Sequence, residues 1–374
     1  MNTTIVIPTY NEKDNIGPLI EELQNVFKKI KGFNMNVLVV DDNSPDGTSD
    51  IVRLKMKKYK NIKLLIGEKN GLGDAYIRGF KYAMKELKAD VVFEMDADFQ
   101  HNPNDIPRFL EKINEGYDYV LGSRYVKGGS IPKDWGIHRK ILSFFGSWFA
   151  RLVLGAKEVK DYTTGYKATR VKGYLDKIDF SNIISKSFAY KIQLLYEMLC
   201  LKAKTIEIPI NFAARTKQNS KSSSKEFFES LKVIFVIRIR KNQRFLKVCV
   251  VGAMGAFIQL ILASVLVNIL GYNKAVLSNV LATEVAILAN FFINNAWTFS
   301  DKKIVDFKML VKKLPLFNFL SLGSIIIQAI VMMLGVRFFN VESLFPYLTI
   351  VVVGILLGLI WNFTMYTKVV WRSK

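Results

Sequence analysis

Cysteine and histidine are nearly absent from this sequence of 374 residues. It holds two cysteines, Cys200 and Cys249, and two histidines, His101 and His138. These cysteines have neither the dense spacing of a disulfide framework nor the paired spacing of a zinc site. The scarcity of both residue types therefore excludes a disulfide-stapled scaffold and a metal centre built on histidine or cysteine.

Acidic residues are also scarce, above all near the C-terminal end. Lys and Arg number 53 against 32 Asp and Glu, which gives a formal net charge of +21. From residue 245 onward the acidic side chains are Glu284, Asp301, Asp306 and Glu342. Such a positive excess suits nucleic acid, anionic membrane lipid or nucleotide phosphates. No basic stretch has the interleaved aromatic residues of a nucleic-acid reader, so we expect no nucleic-acid partner.

Four long apolar stretches predict membrane spans. They cover about 245–270, 275–299, 314–339 and 346–371, and each exceeds the ~20 residues that cross ~30 Å of hydrocarbon. Lysine and arginine concentrate before the first span, between the second and third, and in the tail. The positive-inside rule then predicts a multi-pass cell-membrane protein with both termini and the first half of the chain in the cytoplasm. The strand-like start of the sequence predicts no secretory signal.

Polar residues inside the predicted spans have two interpretations. Glu284 is ionisable at membrane depth, where such groups are either functional or hydrogen-bonded between helices. The sequence leaves both open for Glu284. For Asn290, Asn294 and Asn295 we favour hydrogen bonding between helices.

The first 215 residues alternate β-branched apolar runs with amphipathic stretches. Strands are predicted over 5–7, 36–40, 62–66, 90–95 and 117–122, and helices over 16–30, 48–59, 73–87 and 106–115. This alternation predicts an α/β domain with a mostly parallel, Rossmann-like sheet, followed by an all-α four-helix membrane domain. Ligands of such sheets bind at the carboxyl ends of the strands.

Two basic amphipathic segments, 138–154 and 224–240, predict helices that lie in a membrane interface. The alternative is that both simply pack on the soluble core. With the spans, they suggest three parts: a catalytic domain over 1–223, an amphipathic linker over 224–244 and a membrane domain over 245–374.

Polar residues that follow the first two strands suit a nucleotide. Pro8 ends the first strand because it cannot donate a ladder hydrogen bond. Tyr10 offers a flat face on which a nucleobase can stack, and Glu12 can accept hydrogen bonds from N–H groups of the nucleobase. After the second strand, either Asp41 or Asp42 can accept hydrogen bonds from ribose or base.

The segment Asp96-Ala97-Asp98-Phe99-Gln100 follows the fourth strand. Alternate side chains of an extended segment point the same way, so Asp96, Asp98 and Gln100 are expected to converge. Mg²⁺ binds through one or two carboxylates and completes its shell with phosphate oxygens. The segment therefore predicts a divalent-cation site that neutralises a departing diphosphate.

Taken together, these motifs resemble glycosyltransferase family 2, and within it the dolichyl-phosphate mannose synthases. The matching segments are PTYNE at 8–12, VVDDNSPDGT at 39–48, GLGDAYIRGF at 71–80, MDADFQH at 95–101, GSRYVKGG at 122–129, HRKILS at 138–143 and DYTTGYKA at 161–168. The last 130 residues resemble the GtrA-like four-span module. The resemblance implies a GT-A fold and transfer of mannose from GDP-mannose to dolichyl or another polyprenyl phosphate.

The resemblance also implies roles for individual residues at the nucleotide and metal. The guanosine portion would be held by Pro8, Tyr10, Glu12, Val40 and Asp42. Asp96 and Ala97 would line the nucleotide site. Asp98 and Gln100 would bind the cofactor, Mg²⁺ or Mn²⁺, with Asp96 as a further candidate ligand.

Basic residues have implied roles at the phosphates. Arg124 would neutralise the diphosphate, and Arg139 would bind the lipid phosphate. The nucleotide sugar or its phosphates would be contacted by Lys191, Arg215 and Lys221. By the same resemblance, Asp96, Asp98, Arg124 and Arg139 form the catalytic set.

Departures from the family pattern leave the sugar open. The usual Gly-Glu-Ser-Lys loop is Gln218-Asn219-Ser220-Lys221 here, and Ser/Thr-Gly-Phe is Thr164-Gly165-Tyr166. Alternatives are glucose transfer from UDP-glucose to undecaprenyl phosphate, a processive polysaccharide synthase, and a flippase or scaffold for lipid-linked sugars. The sequence has no Gln-x-x-Arg-Trp motif of processive synthases. It leaves open the lipid length, the metal and a homo-oligomeric state.

Overall fold

The structure, a computed structural model, describes residues 1–132, 135–156, 158–213, 224–338 and 344–372. The chain divides into two units, Met1–Arg238 and Ile239–Lys374. The first holds the α/β elements and the second holds the long apolar helices. This agrees with the fold class that the sequence predicts.

A seven-stranded sheet forms the centre of the first unit, in the order β3-β2-β1-β4-β6-β5-β7. The strands are β1 Asn2–Thr9, β2 Asn34–Asp41, β3 Ile62–Ile66, β4 Val91–Glu94, β5 Tyr119–Ser123, β6 Lys167–Arg170 and β7 Thr205–Pro209. β6 runs antiparallel to β4 and β5, whereas the other strand pairs are parallel. The prediction of a mostly parallel sheet is confirmed, but the sequence pattern misses β6 and β7.

Helices cover both faces of this sheet. They are α1 Lys13–Phe27, α2 Thr48–Lys58, α3 Leu72–Lys85, α4 Ile106–Asn114, α5 Ile137–Leu154, α6 Tyr190–Cys200 and α7 Ser224–Lys241. Because strand side chains alternate, Val6 and Leu38 pack on the α3 and α6 face, while Ile5 and Val37 pack on the α1 and α4 face. A Cβ on Gly79 would overlap Val6, so glycine lets α3 lie close to the sheet.

A charged pair is buried in the middle of the sheet. Lys167 on β6 and Glu94 on β4 are paired in register and almost fully buried, with Nζ 3.7 Å from Oε2. The Tyr190 hydroxyl of α6 donates to the same carboxylate oxygen at 2.6 Å. Burial lowers the pKa of Lys167 to about 8, against the opposing effect of Glu94.

Helices α5 and α7 each combine a packed face with an exposed apolar face. Ala150 and Leu154 of α5, and Val233 and Ile234 of α7, belong to the core of the first unit. The exposed apolar side chains include Ile137, Ile141, Phe144, Trp148, Leu152, Phe228 and Phe235. Packing on the core is therefore confirmed for both helices, whereas a membrane-interface location of their exposed apolar sides stays a prediction.

Among the described residues, the second unit has four helices long and apolar enough to cross a membrane. The helices are α8 Gln243–Leu270, α9 Ala275–Ile293, α10 Phe307–Phe338 and α11 Leu344–Met365. π-helical turns follow α9 at Asn294–Thr298 and α11 at Tyr366–Val370. α10 begins seven residues before the predicted span because lysine, a good helix former, extends the helix beyond its apolar stretch.

Two of the intramembrane polar residues make hydrogen bonds that tie this unit together, whereas the Oδ1 atoms of Asn290 and Asn294 are buried without a hydrogen-bond partner among the described residues. The Glu284 carboxylate of α9 accepts from the Asn318 amide of α10 at 3.0 Å. The buried Asn295 amide bonds both backbone groups of Ile304, and its Oδ1 also accepts from the Trp371 indole at 3.0 Å. These contacts support a structural role for Glu284 and Asn295.

Candidate active site

A cavity of about 1040 Å³ lies in the first unit, where β1, β2 and β4 end. Eleven of the predicted site residues line it: Pro8, Tyr10, Glu12, Asp42, Asp96, Ala97, Asp98, Gln100, Arg124, Arg139 and Lys191. They come from strand ends, from α5 and from α6. The sheet therefore brings together side chains that are far apart in the sequence, as expected for an α/β fold.

Of the other predicted residues, one is described and does not line this cavity. The Val40 side chain is fully buried in the core, where it packs towards Gly79. Alternation along β2 directs this side chain into the α3 interface, so the side chain does not line the cavity, and a contact of Val40 with guanosine stays a prediction. Arg215 and Lys221 lie outside the described residues.

The acidic segment converges on the cavity, but its backbone is not extended. β4 ends at Glu94, the chain then bends, and Phe99 has a positive φ of 61°. The Asp98 carboxylate accepts a hydrogen bond from the backbone N–H of Gln100 at 3.1 Å. Side-chain alternation along an extended segment is therefore the wrong explanation for the predicted convergence. The bend in the chain brings Asp98 and Gln100 together at the cavity.

The side-chain oxygen atoms of this segment suit a hard divalent cation as ligands. Asp98 is only 4% exposed, yet it lines the cavity. Gln100 donates its Nε2 to the Ala213 carbonyl at 3.0 Å, which leaves the amide oxygen as the end available to a cation. No group of three His, Cys, Asp or Glu side chains suited to a metal occurs among the described residues. One carboxylate and one amide oxygen suit Mg²⁺ or Mn²⁺ when substrate phosphates complete the shell.

Asp96 has neighbours that give it a different role. The Tyr76 hydroxyl donates to its Oδ1 at 2.9 Å, and the buried Lys191 ammonium lies 3.8 Å from its Oδ2. A Cβ on Gly165 would overlap that ammonium, which explains glycine at this position. Asp96 therefore holds Lys191 at the cavity wall.

His101 is a buried residue that contacts the backbone of Asp96. Its Nδ1 accepts from the Asp96 backbone N–H at 3.1 Å, and its ring stacks on Tyr166 with centroids 4.9 Å apart. Burial lowers the pKa of His101, so the imidazole is neutral near pH 7. A neutral ring can keep Nδ1 as an acceptor, which fixes the backbone at the start of the acidic segment.

Arg124 lies against a carboxylate that the sequence reasoning did not single out. Its Nε and Nη2 donate to the two oxygens of buried Asp161 at 2.8 and 2.7 Å. Burial alone would raise the pKa of Asp161, but the charge and hydrogen bonds of Arg124 together hold it below its usual value. This bidentate pair fixes the guanidinium, and Nη1 is the donor it can still offer to an anion in the cavity.

The structure distinguishes the two adjacent carboxylates at the β2 end of the cavity. Asp41 is fully buried and accepts from the hydroxyls of Thr9, Ser44 and Ser49, so it holds a turn. Asp42 lines the cavity instead.

Tyr10 lines the same end of the cavity, where the Lys69 ammonium lies 3.4 Å from its ring centroid. This is a cation–π contact. The tyrosine ring that the sequence assigns to a base is thus held by an exposed lysine from the loop after β3.

Part of the cavity lining, contributed by α5 and α7, is basic and apolar. Arg139, near the start of α5, stacks over the Trp135 ring at 4.0 Å. Leu142 of α5 and Phe227, Leu231 and Ile234 of α7 belong to the same lining. The cavity therefore combines acidic side chains with a guanidinium and apolar side chains.

Family models match both units. The model for glycosyl transferase family 2 matches residues 4–177, and the model for the GtrA/DPMS transmembrane domain matches residues 247–371. A dolichol-phosphate mannosyltransferase of Pyrococcus furiosus is 32% identical over the full length of both chains. The chain belongs to glycosyltransferase family 2. This transferase is a multi-pass membrane protein.

Other curated relatives match mainly the first unit of the transferase. A polyprenol monophosphomannose synthase of Mycolicibacterium smegmatis is 33% identical over 61% of this chain and 84% of its own. An undecaprenyl-phosphate mannosyltransferase of Micrococcus luteus is 37% identical over 60% of this chain and 88% of its own. Among solved structures, a mannosyl-3-phosphoglycerate synthase of Rubrobacter xylanophilus aligns over 65% of this chain and 75% of its own, at 16% identity and a TM-score of 0.47.

Proposed function

We propose that the transferase moves mannose from GDP-mannose onto a polyprenyl phosphate such as dolichyl phosphate. The observation that carries the proposal is the make-up of one cavity. Its lining includes Asp98 and Gln100, which suit a cation on a diphosphate, and also Arg139 together with apolar side chains. A phosphate attached to an isoprenoid chain needs both a cationic and an apolar contact. The curated relatives, which are named for mannosyl transfer to polyprenol phosphates, support this choice.

The acceptor phosphate is itself the nucleophile. The second pKa of a phosphate monoester is about 6, so the group is largely a dianion near neutral pH and needs no general base. A phosphate oxygen attacks the anomeric carbon as the bond from that carbon to the diphosphate oxygen breaks. The bonding electron pair leaves with GDP, and the configuration at the anomeric carbon inverts.

Each charged side chain of the cavity has a task in this displacement. Asp98 and Gln100 would hold Mg²⁺ or Mn²⁺, which when bound offsets the charge of the leaving diphosphate. Arg124 offers Nη1 to the same phosphates, and Lys191 faces the sugar-phosphate region from α6. Arg139 binds the acceptor phosphate, because its place beside the apolar wall suits a lipid head group.

An assay with purified full-length protein tests this proposal. We expect mannose transfer from GDP-mannose to dolichyl phosphate, with little transfer from UDP-glucose and little to glycerol phosphate, which has the phosphate but no isoprenoid. The readout is chromatography of radiolabelled lipid product. Preference for UDP-glucose would favour the glucosyltransferase alternative, and efficient use of glycerol phosphate would refute a lipid acceptor.

We also propose that the catalytic unit and both termini face the cytoplasm. The residues between α9 and α10 include Lys302 and Lys303, whereas the turn after α8 has one lysine, Lys274. Cys200 and Cys249 would be changed to Ser, and single cysteines placed at exposed Asn273 or Val305. A membrane-impermeant maleimide on intact cells should label Asn273→Cys and spare Val305→Cys. The reverse pattern would overturn the orientation.

A further inference from the structure

An ion pair stands behind the nucleotide end of the cavity. Asp42 lines the cavity, and its Oδ1 accepts from Nη2 of Arg78 on α3. The Asp42 side chain is 8% exposed, whereas that of Arg78 is 25% exposed. Arg78 is not among the cavity-lining residues. It therefore reaches the cavity only through the carboxylate that it holds.

The Arg78 guanidinium is fixed by its own neighbours. Nε donates to the Asp74 carboxylate one turn earlier at 3.0 Å, and Nη2 also donates to the Glu68 carbonyl at 3.4 Å. A Cβ on Gly67 would overlap the guanidinium, so the loop after β3 needs glycine where it passes this side chain. These contacts hold the Arg78 guanidinium in one position.

The position of the Arg78 guanidinium opposes folding in one respect, which suggests that it has a functional role. Nη1 of Arg78 is buried and has no hydrogen-bond partner among the described residues. An arginine retained for stability alone would be expected to satisfy its buried donors, since each unpaired one opposes folding. What the arrangement achieves is a carboxylate held through Oδ1, with Oδ2 and the second acceptor position of Oδ1 left to accept hydrogen bonds from a ligand.

The charge state of Asp42 depends on the same contact. Burial raises the pKa of Asp42, Arg78 opposes that rise, and the nearby carboxylates of Asp74 and Asp41 add to it. Among other charged groups, the Lys69 ammonium also lies at this end of the cavity. Removing Arg78 should therefore raise the pKa of Asp42 further, so that the acid becomes protonated at higher pH.

We propose that Arg78 is a positioning residue that keeps Asp42 an ionised, fixed acceptor for a nucleobase with two adjacent N–H donors, as guanine has at N1 and N2. This inference rests on the proposed use of GDP-mannose. An ionised carboxylate accepts both hydrogens, whereas a protonated or rotated one loses at least one of them. Arg78 would then set base preference without touching the base.

The test measures binding of GDP and IDP to the full-length protein in detergent by calorimetry. IDP lacks the N2 amino group, so the ratio of the two affinities reports recognition at N2. Arg78→Met should weaken GDP binding about tenfold or more and remove most of the GDP-to-IDP preference. As the pH is lowered, its GDP affinity should also begin to fall at a higher pH than that of the unaltered protein. Arg78→Lys, which keeps the charge but not the fork, should recover part of both effects.

Lys81→Met provides a matched control, because exposed Lys81 lies one turn further along α3. It should leave both affinities and the pH profile unchanged. Unchanged GDP affinity and preference in Arg78→Met, or full recovery in Arg78→Lys, would overturn the role of Arg78 and leave the proposed function standing. If the unaltered protein prefers UDP to GDP, the proposed donor and this inference both fail.

Discussion

Replacement of Asp98 by Ala is expected to lower the rate of sugar transfer by about a hundredfold to a thousandfold, the range found when one charge-stabilising group is removed from an active site. Asp98 is the nearly buried carboxylate beside Gln100 in the cavity. Without it, the leaving diphosphate would lose the cation that offsets its charge. The measurement is single-turnover transfer at saturating Mg²⁺ or Mn²⁺.

A second readout separates cation loss from misfolding. GDP affinity of the unaltered protein should rise when Mn²⁺ is added, and in Asp98→Ala this increase should disappear. Asp50→Ala is the matched control, since Asp50 is an exposed carboxylate in α2; it should retain both transfer and the Mn²⁺ effect. Full activity of the unaltered protein in excess EDTA would show that the assignment is wrong.

The second large effect is expected at Arg139, where Arg139→Ala should raise the KM for polyprenyl phosphate about tenfold or more. Its guanidinium, stacked on Trp135, can bind two phosphate oxygens at once, which an ammonium cannot do. GDP-mannose affinity should be nearly unchanged, because the residue is assigned to the acceptor. Arg139→Lys should recover part of the loss.

Lys140→Ala tests whether charge at this surface is enough. Lys140 is the next residue of α5 and is not among those that line the cavity. A general attraction to anionic lipid would make the two alanine variants alike, whereas a phosphate site makes Arg139→Ala much worse. Loss of nucleotide binding in Arg139→Ala would place the residue with the donor instead.

The sequence correctly predicted that residues which follow neighbouring strands would gather at one cavity. Tyr10, Asp42 and Asp98 follow β1, β2 and β4, so the α/β pattern alone places them at one edge. The pattern could not choose between Asp41 and Asp42, because the choice depends on hydroxyls that become neighbours only in the folded chain. The assignment of Val40 to the nucleotide came from the family resemblance, and the structure adds that the Val40 side chain is buried in the core.

Residues supplied by the irregular part of the fold were harder to find. Asp161 matters because it holds Arg124, and nothing in the local sequence of either residue indicates that pairing. β6 was missed because it is short and contains two basic residues, one of them fully buried. Such a strand has neither the alternation nor the apolar run by which strands are recognised.

The Glu94–Lys167 pair in the sheet has a consequence for how the chain selects its fold. Sliding β6 by one position against β4 would turn Lys167 to the opposite, apolar face and leave Glu94 without its partner. An isolated buried charge costs several kcal/mol, about 3–5 when one partner of such a pair is lost. The mismatched pairing is thereby excluded, so β6, which follows the cavity-lining segment that ends at Gly165, has one alignment open to it.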